Sequence, residues 1–171
     1  MTMSSSAAAV AAGGSHSMVL MQDGSIWATG YNEYGQLGNG VGTDQIVYMQ
    51  VVSSGAKTVA AGNRHSMMLK QDGSVWATGN SWYGQLGDGS TIGSFVFVQV
   101  VSDAVVAVAA GAFHSMVIKN DGSLWATGSN QYGQLGHGSL TSAKTFVPAF
   151  RNGSWHDHSH ALSLSLTHTE N

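Results

Sequence analysis

Short apolar runs alternate with small polar turns along most of the chain, and this pattern predicts strands. In the middle third, His65–Lys70 is a mostly apolar run of strand length. Asp72 and Gly73 follow it, and Val75–Gly79 is a second apolar run. Asp-Gly between two such runs favours a β-hairpin with a type I′ turn, so we predict a hairpin over 65–79.

Two further strands complete the unit. Residues 59–62, Val-Ala-Ala-Gly, are small and apolar, which suits a strand placed where neighbouring backbones crowd together. Residues 95–101 are rich in β-branched and aromatic side chains, as strands usually are. Between the third and fourth strands, Gly84, Gly87 and Gly89 predict a compact loop. We expect Tyr83 and Leu86 to anchor this loop in the core.

The unit occurs three times with a constant period. Tyr-Gly-Gln-Leu-Gly stands at 34–38, 83–87 and 132–136, so successive copies are 49 residues apart. Four short strands in about 50 residues are typical of a propeller blade. We therefore predict an all-β fold, a partial β-propeller of three four-stranded blades at about 10–58, 59–107 and 108–150.

Three motifs of the unit resemble the repeat of the regulator of chromosome condensation family. They are residues 59–66 (Val-Ala-Ala-Gly-Asn-Arg-His-Ser), 72–76 (Asp-Gly-Ser-Val-Trp) and 84–87 (Gly-Gln-Leu-Gly). The resemblance implies a β-propeller, usually seven-bladed, that serves as a protein-interaction platform. The family's founding member exchanges guanine nucleotide on the Ran GTPase and docks on chromatin. Other members are ubiquitin-ligase accessory domains, an ultraviolet-B photoreceptor and β-lactamase inhibitors, but the photoreceptor's Gly-Trp-Arg-His-Thr motif is missing here.

Three copies are fewer than the 4–8 blades that close a propeller. We expect either a piece of a longer propeller or a chain that self-associates, and we favour the first over a dimer of six blades. Residues 151–171 are a low-complexity tail that we predict to be disordered, and we hypothesise that it is translated from outside the true reading frame. His156, His158 and His160 alternate in it and suit zinc or nickel, but we expect only adventitious binding.

Composition excludes several function classes. Charged residues make up only 9% of the chain and its six cations are scattered, which argues against direct nucleic-acid binding. The chain has no cysteine, no apolar run of membrane-spanning length and no visible signal peptide. We therefore expect no membrane partner and a cytoplasmic or nuclear location.

The repeated polar and aromatic residues are predicted to be structural. We expect the histidines to bond backbone groups between strands, the Asp-Gly aspartates to shape turns and the tryptophans to form blade cores. No nucleophile, base and orienting acid stand outside these repeated positions, so we predict no enzyme, no catalytic residue, no cofactor and no metal site. The structural motif comprises His16, His65, His114, Trp27, Trp76, Trp125, Tyr34, Tyr83, Tyr132, Gly35, Gly84 and Gly133.

The best candidates for function are positions that vary between copies beside this fixed scaffold. The residue before the histidine and the residue before the tyrosine both vary, and they are expected in exposed loops where recognition occurs. The candidate interaction residues are Arg64, Trp82, Phe113, Glu33 and Gln131. Neutral drift between repeats is the alternative explanation.

The predicted function is non-catalytic protein–protein interaction. One alternative is guanine-nucleotide exchange on a Ran-like small GTPase, although no inserted wedge interrupts the period. A second alternative is inhibition of a secreted enzyme. The expected partner is a protein, with a small GTPase among the candidates.

Overall fold

The computed structural model describes residues 6–149, and its regular structure there is entirely β. Sheet 1 contains β1 (Ala7–Ala12), β2 (His16–Met21), β3 (Ile26–Gly30) and β4 (Gln45–Val52). Sheet 2 contains β5 (Ala56–Ala61), β6 (His65–Lys70), β7 (Val75–Gly79) and β8 (Ser94–Val101). Sheet 3 contains β9 (Val105–Ala110), β10 (His114–Lys119), β11 (Leu124–Gly128) and β12 (Ala143–Pro148).

Each sheet is an antiparallel meander in chain order. The first strand of one sheet meets the first two strands of the preceding sheet, because β5 contacts β1 and β2, and β9 contacts β5 and β6. The alanine-rich sequences of the first strands leave room for this close approach. The three sheets are therefore propeller blades, and the predicted all-β partial propeller is confirmed.

The Asp-Gly hairpins form, but not with the predicted turn. In sheet 1, Gly24 N–H donates to Met21 O (3.0 Å) and Met21 N–H donates to Ser25 O (2.9 Å), which closes a three-residue loop. Gly24 has φ +79°, whereas Asp23 has no positive φ. A type I′ turn needs two consecutive positive φ values, so that prediction is wrong. The loop is a type I turn followed by a glycine bulge.

The hydrophobic cores lie between sheets rather than within them. In the first core, Met18 and Ile26 of sheet 1 pack with Val59 and Met68 of sheet 2. The second core lies between sheets 2 and 3. It consists of residues equivalent to those of the first core, and Leu69 of sheet 2 is one of them. Sheet 2 thus uses one face to pack against sheet 1 and the other to pack against sheet 3.

Two predictions fall wholly or partly on undescribed residues. The tail at 151–171, with His156, His158 and His160, lies outside the described residues, and so does Phe150. The disordered tail and the blade boundaries remain predictions. No helix in the described part of the chain is long and apolar enough to cross a membrane.

Candidate functional site

The loops at 35–38, 84–87 and 133–136, here called the GQLG loops, lie between the third and fourth strands of each sheet, and the first two of them pack against the next sheet. Gly35 O accepts a hydrogen bond from Thr78 Oγ1 (2.8 Å), and Gln36 O accepts one from Ser66 Oγ (2.7 Å). Leu37 is fully buried in the core between sheets 1 and 2. The second loop makes the same contacts with sheet 3, through Gly84, Gln85, Leu86, Ser115 and Thr127.

The tyrosines before these loops are not core anchors, so that expectation is wrong for Tyr83. Leu86 is completely buried, but Tyr83 is 41% exposed and Tyr132 is 85% exposed. The glutamine side chain of each loop accepts the tyrosine backbone N–H, as Gln85 Oε1 does from Tyr83 at 3.0 Å. This bond helps to hold the backbone of the loop. Because the leucine alone fills the core, the phenol rings lie at the surface.

An asparagine just before the GQLG loop organises the loop. This role was not predicted from the sequence. Asn32 Oδ1 accepts Leu37 N–H (3.0 Å), and Asn32 Nδ2 donates to Val41 O (2.8 Å). Asn130 makes the equivalent bonds in the third copy. The middle copy has Ser81 there, whose shorter side chain reaches Leu86 N–H only at 3.5 Å. The pattern Asn-x-x-Gly-Gln-Leu-Gly, which occurs in the first and third copies, could have indicated this role from the sequence.

The repeated histidines bond a serine of the following sheet, not the backbone groups that we predicted. His16 Nε2 lies 2.8 Å from Ser66 Oγ, and His65 Nε2 lies 3.0 Å from Ser115 Oγ. Because each serine hydroxyl donates its hydrogen to a glutamine carbonyl, its oxygen accepts from the histidine Nε2–H. Nδ1 of both rings is buried without a hydrogen-bond partner within residues 6–149, so a second hydrogen there would be unsatisfied and the neutral ring is preferred.

Burial strengthens this preference for the neutral form. It lowers the pKa of His16 to about 4. It also lowers the pKa of His65 to about 3, and charge on His16 and His114 would act in the same direction. The pKa of His114 is lowered by burial too, but its ring has no hydrogen-bond partner among the described residues.

The repeated tryptophans and aspartates have local structural contacts. Trp76 packs against the first inter-sheet core and donates from Nε1 to Ser74 Oγ at 3.0 Å. Lys70 Nζ lies 4.1 Å from the centre of the Trp76 ring. Ser74 also donates to Asp72 from its hydroxyl and backbone, and these bonds hold the pKa of Asp72 below its ordinary value. The other two copies repeat the tryptophan–serine bond.

Side chains from all three copies form one partly exposed surface, here called the aromatic face. Tyr34 makes edge contacts with Tyr31 and Trp82 at centroid distances of 6.1 and 5.3 Å, and Tyr83 and Phe113 form a separate tilted pair at 5.4 Å. Such geometries are favourable for aromatic pairs. The aromatic face consists of Tyr31, Tyr34, Arg64, Trp82, Tyr83 and Phe113.

Arg64 contacts two aromatic rings of this surface. Its guanidinium carbon lies 4.6 Å from the Tyr34 ring centre and 5.8 Å from the Trp82 ring centre. Arg64 Nη1 also donates to Tyr34 Oη at 3.0 Å. A guanidinium has five N–H donors, so this arrangement leaves others for an incoming acceptor.

The structure brings together some of the predicted interaction residues. Arg64 and Trp82 are neighbours, and Phe113 contacts Tyr83. Glu33 accepts a hydrogen bond from the Tyr31 hydroxyl at the edge of the aromatic face. Gln131 is exposed and makes no side-chain hydrogen bond within residues 6–149. Tyr31 was not among the predicted residues, and Tyr34 and Tyr83 were predicted to have structural roles only.

The described residues show no candidate metal centre. No three His, Cys, Asp or Glu side chains within 6–149 lie close enough together to hold an ion.

Four-stranded meanders joined through buried loops define a repeat protein of the propeller class. A family model for the Regulator of chromosome condensation (RCC1) repeat matches residues 7–36, 56–85 and 105–134. A second model of the same repeat matches 23–69, 72–118 and 121–154, about three quarters of the chain. The chain belongs to the regulator of chromosome condensation repeat family, as the motifs predicted.

Solved structures share the fold at low sequence identity. The complex of Kap60 with yeast RCC1 (Prp20) matches with a TM-score of 0.76 and 19% identity, over 85% of this chain and 37% of that one. Human WBSCR16 matches with a TM-score of 0.75 and 22% identity, over 86% and 39% of the two chains. Prp20p from Saccharomyces cerevisiae, described with its binding properties to Gsp1p and histones, matches with a TM-score of 0.76 and 20% identity, over 85% and 38%.

These matches extend over only part of the larger proteins. The chain spans less than two fifths of the length of these three solved structures. No curated protein sequence matches it significantly.

Proposed function

We propose that the chain is a non-catalytic protein-interaction module that binds its partner through the aromatic face. The observation that carries this proposal is the position of Arg64 against the rings of both Tyr34 and Trp82, which also contact each other. Trp82 lies in the loop between β7 and β8 and is 58% exposed. Arginine, tryptophan and tyrosine are the residue types that dominate binding energy in protein interfaces.

The variation of these residues between copies supports a role in recognition. Arg64, Trp82 and Phe113 occupy positions that differ between copies, whereas the GQLG loops beneath them are constant. A rigid scaffold with variable exposed side chains is the usual arrangement of a binding surface. Glu33 and Gln131 are proposed to lie at its rim, where contacts adjust specificity more than affinity.

The test is quantitative capture with matched variants. The immobilised chain is exposed to an extract of its source cells, and retained proteins are quantified by mass spectrometry. We expect at least one protein to be retained by the wild type and lost at least about 30-fold from Trp82→Ala and from Arg64→Ala, the loss expected of hot-spot side chains. Ile92→Ala is the control, because Ile92 is 77% exposed and lies, like Trp82, in the loop between β7 and β8 of sheet 2.

Retention of every captured protein by both aromatic-face variants would contradict the proposal. The variants must show the wild-type circular dichroism spectrum for the comparison to count. The two substituted side chains are partly or mostly exposed, so we expect this condition to be met.

A second candidate is guanine-nucleotide exchange on a Ran-type small GTPase. Family membership supports it, as does the fold shared with Prp20p, which was described with its binding to Gsp1p. The unbroken period, which leaves no wedge between copies, favours simple binding instead. Release of a labelled nucleotide from a Ran-type GTPase separates the two, since acceleration by the chain would establish exchange. Inhibition of a secreted enzyme, and a nuclear or cytoplasmic location, remain predictions.

A further inference from the structure

We propose that the partner presents the carboxylate of an acidic side chain to Arg64, with an apolar side chain beside it on the exposed ring of Trp82. This inference rests on the proposed function, because it gives the chemistry of the partner that the aromatic face binds. The occupant is a protein segment that contains Asp or Glu and is not phosphorylated.

Arg64 has no acidic partner in the described part of the chain. Its guanidinium makes one hydrogen bond there, from Nη1 to Tyr34 Oη, and no Asp or Glu of residues 6–149 forms an ion pair with it. Glu33, the acid at the edge of the aromatic face, accepts the hydroxyl of Tyr31 instead. Because the Arg64 side chain is half-buried, a carboxylate from another molecule would meet it in a less hydrated setting than on an open surface, where the attraction is stronger.

The equivalent position in the next copy shows that packing does not require this charge. Phe113 stands 49 positions after Arg64, and Tyr83 stands 49 positions after Tyr34. Phe113 contacts Tyr83 just as Arg64 contacts Tyr34. An uncharged ring therefore fills the same place against the same type of residue. The charge of Arg64 is not needed for the contact between sheets, so recognition is the role that remains for it.

The chemistry of the guanidinium suits a carboxylate. One of its five N–H groups donates to Tyr34, which leaves others for two parallel hydrogen bonds to the oxygens of a carboxylate. A guanidinium that lies over aromatic rings, as this one does over Tyr34 and Trp82, can still donate from its edge. The pair would thus gain both charge attraction and a fixed orientation.

The backbone beneath these side chains is held by hydrogen bonds within the chain. Arg64 O accepts the backbone N–H of Asn80 at 2.8 Å, and Asn80 Oδ1 accepts the backbone N–H of Trp82 at 3.1 Å. The Tyr34 backbone N–H donates to Gln36 Oε1 at 3.2 Å. The three side chains therefore start from fixed positions, which lowers the entropy cost of binding.

The distribution of cations favours a carboxylate over a phosphate. A phosphorylated side chain carries a charge of about −1.5 to −2 and is usually bound by a cluster of arginines. Arg64 is the only cation of the aromatic face. Other described cations are Lys70 and Lys119 over tryptophan rings, Lys144 against Gly84, and Lys57 beside the hairpin of Asp23. A single guanidinium matches the single charge of a carboxylate.

Peptide selection tests this chemistry without a known partner. A phage library of random short peptides is selected on the immobilised 171-residue chain. We expect the enriched peptides to contain Asp or Glu beside an aromatic or aliphatic residue. The same selection on Arg64→Phe should lose this preference for acids, and the variant should fold because phenylalanine occupies the equivalent position 113. Lys57→Gln, which removes an exposed lysine beside a hairpin, is the control and should keep the preference.

Affinities of one enriched peptide provide the second measurement. The peptide is synthesised with its acid, with the corresponding amide and with phosphoserine at that position, and binding is followed by fluorescence anisotropy. On the wild type we expect the amide form to bind at least about tenfold more weakly than the acid form, the loss expected of a hydrogen bond to a charged group. On Arg64→Phe, and on Arg64→Gln as a second uncharged variant, the two forms should bind equally.

The remaining outcomes contradict the proposal in distinguishable ways. Enriched peptides that lack acids and are lost from Trp82→Ala would overturn the carboxylate but leave the aromatic face as the binding surface. Acidic peptides that still bind Arg64→Phe and Arg64→Gln would place the carboxylate elsewhere. Peptides unaffected by any of these variants, or no enriched peptide, would overturn the proposed function as well.

Two other occupants have their own signatures, and each would overturn the assignment to an unmodified partner. Tighter binding of the phosphoserine form than of the acid form would mean that the partner is phosphorylated. A mass that rises above 17.7 kDa with concentration in sedimentation equilibrium, but not in Arg64→Phe, would mean that a second copy supplies the carboxylate.

Discussion

At the scale of single residues, the buried histidines connect the sheets and make stability sensitive to pH. His16 and His65 each donate from Nε2 to a serine that lies 50 positions away in the sequence. Their pKa values, about 4 and about 3, lie well below the ordinary 6.5, because burial disfavours the charged ring. Protonation therefore favours the unfolded chain.

We predict that acidification destabilises the fold over a defined pH window. Between about pH 6.5 and about pH 4 the unfolded histidines take up protons that the folded ones cannot, so the free energy of unfolding falls. Each buried histidine contributes a decline of about 1.4 kcal/mol per pH unit below its unfolded pKa. Urea unfolding midpoints at pH 7, 6, 5 and 4 measure this slope.

His65→Gln is the control, because glutamine can offer an N–H to Ser115 but does not titrate. Its stability should decline less steeply with falling pH, whatever its stability at pH 7. Asp72 and Asp121 have lowered pKa values, so their contribution is lost only as the pH falls through those values. If the free energy of unfolding of His65→Gln falls with pH as steeply as that of the wild type, the pH dependence does not come from His65.

At the scale of elements, the GQLG loops determine how closely sheets approach. Gly38 and Gly87 have positive φ and lie against aromatic rings, Phe97 and Phe146, of the outer strand in the next sheet. The backbone conformation alone would favour glycine, as it does in many turns. Here the neighbouring ring adds a second requirement, since a Cβ at Gly87 would lie 2.5 Å from Phe146 Cε2.

We predict that Gly87→Ala is more destabilising than Gly122→Ala. The two glycines have nearly identical φ values, +82° and +83°, so both substitutions incur the same backbone strain of about 1–2 kcal/mol. No atom lies within 4 Å of a Cβ at Gly122, whereas the ring at Gly87 must move, which adds about 1–3 kcal/mol. Urea unfolding of both variants gives the difference, and equal losses would contradict the packing argument.

At the scale of the whole molecule, the three sheets are not equivalent although their sequences repeat. Sheet 2 packs on both faces, and Met67, Leu69 and Val75 in it are fully buried. Within residues 6–149, sheets 1 and 3 each pack on one face only. Local stability follows the density of buried contacts, so the middle sheet should be the most stable part.

We predict that amide hydrogen exchange is slowest in β6 and faster in β2 and β10. The measurement is made on dilute protein, below any association, and the three strands are matched by sequence position. Exchange in β10 as slow as in β6 in the dilute sample would contradict the prediction.

Much of the element-scale structure was predictable because it depends on local pattern. The predicted strands at 65–70 and 75–79 agree with β6 and β7, and the predicted run at 95–101 is one residue shorter than β8. Apolar alternation, glycine and β-branched residues act over a few positions, so the sequence displays them directly. The exact period extended each local prediction to all three copies and identified the family.

The site could not be predicted in the same way, because its contacts join different copies. Tyr34 was expected to be structural, yet it lies beneath Arg64, which is 30 positions away. The outward direction of Tyr83 and the serine partner of His65 likewise depend on the neighbouring sheet.

The sequence by itself therefore determined the repeat, the strands, the glycine loops and the family of this protein. The tertiary structure decided which faces are covered, which rings are exposed and which variable residues meet at Arg64. The physical reason is that hydrogen bonding along a strand is local, whereas burial and side-chain contacts depend on how one sheet stacks on the next.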